Sequence, residues 1–150
     1  MRVSGRQAIR CTLALIVLVA TTFLADSAFA TSRSERSLGS LNRRVIAAVN
    51  RFRAAHGRAA LHECARLDRS ARRHSLEMGR LGYFGHDSAD GRQFWQRIRH
   101  FYPASGYSYW AAGENLVWAS PTLSAGGAMR LWISSPPHLA NLLSRQWRPV

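Results

Sequence analysis

The sequence predicts a helix-dominated chain with one extended segment, and three features carry that reading. Apolar residues recur at alternating spacings of three and four along most of the chain, which is the pattern of helices with one buried face. Glycine and proline punctuate those runs. A single stretch, Gly113-Glu114-Asn115-Leu116-Val117-Trp118-Ala119, has strand character.

At 150 residues the chain is one domain with a short extension. The extension lies at the front. Arg2, Arg6 and Arg10 make a basic start, Thr12 to Ala25 is an apolar run, and Ala28-Phe29-Ala30 is a small-x-small site. Together these read as a secretory signal peptide over residues 1–30, cut before Thr31. The apolar run is short for a membrane span, so no stable span is expected after cleavage, and the product is expected outside the cell or on its wall. An uncleaved anchor is the alternative.

The net charge of +13 comes entirely from arginine among the basic residues. Such a balance favours anionic surroundings such as wall polymers or acidic lipid. The arginines are spread along helical polar faces, as at Arg66, Arg69 and Arg73, and form no dense run. With the export signal, that spread argues against a nucleic-acid partner. Of the two cysteines only Cys64 lies beyond the leader, so it reads as a free, buried thiol on an apolar stripe, and the fold is expected to stand without a disulfide.

In chain order, residues 31–37 are polar and read as a flexible lead-in. Leu38, Leu41, Val45, Ala48, Phe52 and Ala55 mark the buried face of a first helix that Gly57 ends. Cys64, Leu67, Ala71, His74, Met78 and Leu81 mark a second, ended by Gly82. A loop with Tyr83, Phe84 and His86 follows. Asp90 and Gln93 suggest a capping box for a third helix, with Phe94, Ile98 and Phe101 inward. After the extended segment, Ser120-Pro121 reads as the start of a fourth helix bearing Ala125, Met129 and Trp132. Ser135-Pro136-Pro137-His138 opens a last short one. Tyr83, Phe84, Trp95, Trp118 and Trp132 read as core.

Three residues carry candidate chemistry: His86, Glu114 and His138. Each sits at a break between helices beside glycine or proline. Two imidazoles and a carboxylate make an open zinc site conceivable, although they match no short metal motif. The plain alternative is a hydrogen-bonded polar cluster that fixes loops. Asp87 and Asp90 read as turn and cap residues rather than calcium ligands. His74 reads as a core or boundary histidine, and His56, His62 and His100 as exposed.

Taken together, these stretches resemble the CAP superfamily of cysteine-rich secretory, antigen 5 and pathogenesis-related proteins, in its bacterial secreted branch. The matching residues are Leu41-Asn42 with Arg51, His74-Ser75 with Met78, Tyr83-Phe84-Gly85-His86, Asp90-Gly91, Gly106-Tyr107, Gly113-Glu114-Asn115-Leu116, Trp132, and Ser135-Pro136-Pro137-His138 with Asn141. They cover Leu38 to Trp147. The resemblance implies an α+β fold, an α-β-α sandwich, over residues 38–150. It also implies a cleft around a His/Glu/Glu/His tetrad, of which this chain matches His86, Glu114 and His138 and places Ser135 where the second glutamate belongs. A carboxylate-pair mechanism is therefore not expected, while zinc remains a cofactor the family allows. The family continues with further strands past the position of Trp147, so the expectation here is a C-terminally incomplete, helix-rich sandwich whose strand is poorly paired. The functions implied are a cell-envelope binding module for wall polymer, lipid or a small apolar ligand, a zinc hydrolase, or a non-functional remnant.

Overall fold

The computed structural model describes residues 14–19, 29–106 and 108–147. Arg2, Arg6, Arg10, Cys11, Ala28, Tyr107 and residues 148–150 lie outside them. The elements are β1 (Ala14–Val19), α1 (Phe29–Ala55), α2 (Ala65–Leu81), α3 (Phe94–Phe101), β2 (Glu114–Ala119), α4 (Ala125–Ile133) and α5 (Pro136–Leu143).

Strand β2 lies between two helical layers, because alternate side chains of a strand leave on opposite faces. Leu116 packs with Leu67, Ala71, Met78 and Ile98 of α2 and α3. Its neighbour Val117 packs with Leu41, Val45, Val49, Met129, Trp132 and Leu142 of α1, α4 and α5. The indole of Trp132 is buried there and donates to the Leu116 carbonyl at 2.9 Å. These two cores on either side of one strand form the expected α-β-α arrangement, dominated by helix.

The stripes read from the sequence mostly bury as expected, and the differences lie at their ends. Helix α1 begins at Phe29, so residues 31–37 are helical rather than a loose lead-in. Helix α2 ends as expected at Gly82, whose φ of 68° is a left-handed cap that bonds back to Met78. The third helix starts three residues later than the expected box. Gln93 is its N-cap and pairs reciprocally with Gln96, while Asp90 is engaged with Arg92 at 2.6 Å. The fourth helix is capped by Ser124, whose hydroxyl accepts from Gly127 at 3.0 Å, and Ser120-Pro121 is a cis turn ahead of it.

Three particulars differ in the full-length chain, which retains residues 14–19. The extended segment does not stand alone: β1 pairs with it in parallel from Ala14 opposite Glu114 to Val19 opposite Ala119. Cys64, expected as a free thiol once residues 1–30 are cleaved, is disulfide-bonded in the uncleaved chain. Among the aromatics expected in the core, Phe84, Trp95 and Trp118 are exposed.

Behind α1 lies a device that the apolar pattern did not announce. Arg53 is buried on the α1 face that carries Val45 and Val49. Its guanidinium donates to the carbonyls of Ala59, Leu142, Ser144 and Trp147 at 2.6–3.2 Å. One cation thereby satisfies orphan carbonyls at the end of α5 and ties the following segment to α1. Arg53→Met keeps the stem but leaves these carbonyls unpaired. It is expected to cost about 3 kcal/mol in urea denaturation, the range for a broken buried charged network. A loss under about 1 kcal/mol would show the network to be dispensable.

Candidate functional site

The loop between α2 and α3 is anchored before it reaches its histidine. His74 is fully buried on α2, and its Nε2 lies 2.8 Å from the Gly85 carbonyl. Its Nδ1 lies 3.2 Å from Glu77, which also accepts from the Tyr83 hydroxyl at 2.8 Å. Burial opposes the charge on Glu77, but the bonds from Tyr83 and His74 outweigh it and hold this carboxyl below its usual range. The same burial and carboxylate push the Tyr83 hydroxyl up to about 12, so it remains a donor. The loop then turns through Gly91, whose φ of 83° is a left-handed position. Asp87 accepts from the Phe94 amide at the start of α3, at 3.1 Å.

His86 and Glu114 meet. The Nδ1 of His86 lies 2.9 Å from one oxygen of Glu114. A carboxylate can only accept, so Nδ1 carries the proton and Nε2 is the ring's free face. Glu114 has 1% of its side chain exposed, against 48% for His86, so the imidazole bridges a buried charge to solvent. The second Glu114 oxygen accepts from Nη2 of Arg97. Arg97 also donates from Nη1 to the His86 carbonyl at 3.0 Å. Its own exposure is 5%, and its Nε has no partner among the described residues.

Sequence reasoning missed Arg97, yet the signal was present. Arg97 sits three residues after Phe94 and four before Phe101, on the inward side of α3. A charge on an apolar stripe implies a buried partner, and Glu114 is that partner.

His138 enters from the opposite layer. It lies in the first turn of α5, where Pro136 and Pro137 occupy the opening positions. Its Nδ1 is 2.8 Å from the Ser135 hydroxyl. The carbonyl of His138 accepts from Asn115 Nδ2 at 3.2 Å, and Asn115 Oδ1 accepts from Asn141 at 2.9 Å. Residues 114 and 115 thus fix both sides of the site: Glu114 holds the His86 loop, and Asn115 holds α5. Burial first, and the charge of His86 second, lower the pKa of His138. The charge of one imidazole is thus felt by the other, and His138 is harder to protonate than an ordinary histidine.

The zinc set expected from the sequence is not assembled. Among the described residues no group of three or more His, Cys, Asp or Glu side chains could hold a metal ion. Both Glu114 oxygens already have hydrogen-bond partners, and the Arg97 guanidinium puts a fixed positive charge against the carboxylate. A dication would have to displace that charge. No chemical step through zinc is derived. The Ser135 hydroxyl stands instead against Nδ1 of His138.

A comparison with protein-family models matches residues 46–148 to the cysteine-rich secretory protein family, CAP. No curated protein and no solved structure matches the chain. Among the described residues no helix is long and apolar enough to cross a membrane.

Two measurements check this account. Arg97→Met removes the buried countercharge of Glu114, leaving only the His86 hydrogen bond, and is expected to cost about 3 kcal/mol. Adding Glu114→Gln should recover most of that loss, so a double-mutant cycle in urea reads the pair directly. An additive double variant would show that the two do not act together. The second concerns pH. His138 is harder to protonate when folded than at the ordinary value of 6.5, so below 6.5 the unfolded chain takes up the proton first. Its contribution to stability is full above 6.5 and falls as the pH drops. Thermal melts between pH 7 and 5 should therefore lose less stability in His138→Gln than in the wild type.

Proposed function

The chain belongs to the cysteine-rich secretory protein (CAP) family, and from that premise we propose that it is an exported binding module of the cell envelope. Residues 1–30 serve as its signal peptide, and the cleft of His86, Glu114 and His138 holds an acidic amphiphile such as an anionic lipid. The state of Glu114 carries the reading. A hydrolase of this type needs a free carboxylate to move a proton, or a metal to activate water. Glu114 is buried and held by Arg97 and His86, so it acts as a fixed strut under an exposed imidazole.

The surface around that imidazole suits a ligand with an apolar body and a negative head. Phe84, two residues before His86, is 54% exposed. Trp95 is also exposed, next to Phe94, whose ring centroid stands 6.0 Å from that of His86. Apolar rings in water at a polar site mark a binding surface more often than a defect. The net charge of +13, of which +11 remains once residues 1–30 leave (18 Arg against 7 acidic residues), draws anionic surfaces towards it.

Co-sedimentation of the exported protein with phosphatidylglycerol and phosphatidylcholine vesicles tests the proposal. Retention is expected on the anionic vesicles and should weaken with salt. The Phe84→Ser/Trp95→Ser variant should bind them roughly tenfold or more weakly, the equivalent of losing one well-buried aromatic side chain. Equal binding to both lipids, or no effect of the double change, would overturn the reading.

A further inference from the structure

We propose that the outward face of α2 is a docking ridge for a linear, phosphodiester-linked polyanion of the cell wall. The proposal rests on the envelope reading above for the source of that polymer, and it does not depend on the loss of residues 1–30.

The ridge follows from the spacing of α2. Burial of Leu67, Ser70, Ala71, His74 and Met78 fixes which side of the helix turns inward. At about 100° per residue, Arg66, Arg69, Arg72, Arg73 and Arg80 then fall within roughly a third of the circumference on the other side. All five are exposed, and they are so with residues 14–19 in place beside the helix. Arg66, Arg69, Arg73 and Arg80 follow one line along the axis, interrupted once by Leu76, which is 46% exposed. From Arg66 to Arg80 that line is about 21 Å long. The Arg66 guanidinium lies over the Tyr102 ring at 5.9 Å. Among the described residues Arg69, Arg73 and Arg80 have no acidic partner. Like charges three and four residues apart on a helix repel, so the row weakens the lone protein and gains most from an anion laid along it.

The borders of the ridge decide between a chain and a sheet. Helix α2 carries two acidic residues, Asp68 and Glu77, and helical geometry places one on each side of the arginine line. Glu77 keeps 26% of its side chain exposed even while it is bonded to His74. A flat anionic bilayer would press against both carboxylates, whereas a single polymer chain lies between them. The apolar stripe of α2 is buried in the core, so the outward face lacks the apolar side on which an interfacial helix rests. The chemistry of the repeat follows from the side chain. A guanidinium fork matches the two unesterified oxygens of a phosphodiester. Successive forks stand about one helical turn apart, so the row takes a repeating anion rather than one headgroup.

The probe is a fluorescent poly(glycerol phosphate) oligomer long enough to span the ridge, read by anisotropy against the full-length chain. Saturable binding that weakens with salt is expected. Arg69→Gln/Arg73→Gln/Arg80→Gln should bind roughly tenfold or more weakly and lower the salt slope by about 2, the share of three lost phosphate contacts. Arg43→Gln/Arg44→Gln/Arg51→Gln removes the same charge from exposed positions of α1 and should stay within about threefold of the unchanged chain. All six positions are on the surface, and thermal melts check that both variants fold. Equal losses in the two variants would show attraction by net charge alone and overturn the proposal. So would the absence of saturable binding. An α2 variant that loses phosphatidylglycerol vesicles but keeps the polymer would assign the face to a bilayer, and tighter binding of a thymidine oligonucleotide of equal charge would assign it to nucleic acid; either result overturns the proposal. The Phe84→Ser/Trp95→Ser variant should bind the polymer as the unchanged chain does, so the cleft and the ridge fail separately.

Discussion

A carboxylate buried to the extent of Glu114 is unstable unless its charge is answered, and the answer comes from α3. Arg97 meets one oxygen from within the same dry layer, and His86 meets the other from the solvent side. A lone buried charge costs several kcal/mol, while a paired one is roughly neutral, so the pair is less a source of stability than a condition on the fold. It obliges α3, the loop before it and β2 to take one arrangement. Because Arg97 also holds the His86 carbonyl, that histidine is fixed through its ring and through its backbone. The half-exposed ring is thereby oriented through its Nδ1.

The second half of the molecule is fitted to the first through the next residue of the strand. Asn115 spends its amide on the His138 carbonyl and on Asn141, so the two histidines are set by adjacent residues of β2. Gly113, just before them, is required for a steric reason: a Cβ there would fall on Asn141 Oδ1 and on the Trp147 ring. Trp147 is in turn buried, bonded to the Asn141 carbonyl at 2.8 Å and held at its own carbonyl by Arg53. A single path of contacts thus runs from α1, through the residues after α5, to the strand that carries the site.

Periodicity revealed the helices because burial of one face is what makes each of them stable, and that requirement leaves a mark every three to four residues. Helix ends were less legible. Asp90-to-Gln93 and Gln93-to-Gln96 have the same spacing, and only the competing ion pair between Asp90 and Arg92 decides between them. The site histidines and Glu114 stood out by their place at chain breaks. Arg53 and Arg97 did not, because an arginine in so basic a chain reads as solvated surface. Both nevertheless occupy positions on an apolar stripe, where only a buried partner explains a charge. The exposed Phe84, Trp95 and Trp118 were misread for the opposite reason: composition says that aromatics bury, and only the packed fold says which ones find a cavity.

The neutralisation of Glu114 also sets the charge around the two histidines. With carboxylate and guanidinium cancelling, that charge depends on the two imidazoles. Burial resists a proton on His138, and a charge on His86 resists it further. The site therefore accepts one positive charge more readily than two. Such a site has little attraction for a bare cation and a weak, adjustable attraction for an anion. That bias agrees with the positive net charge of the chain, and it follows from one residue, Arg97, standing against a carboxylate that would otherwise be free to hold a metal or move a proton.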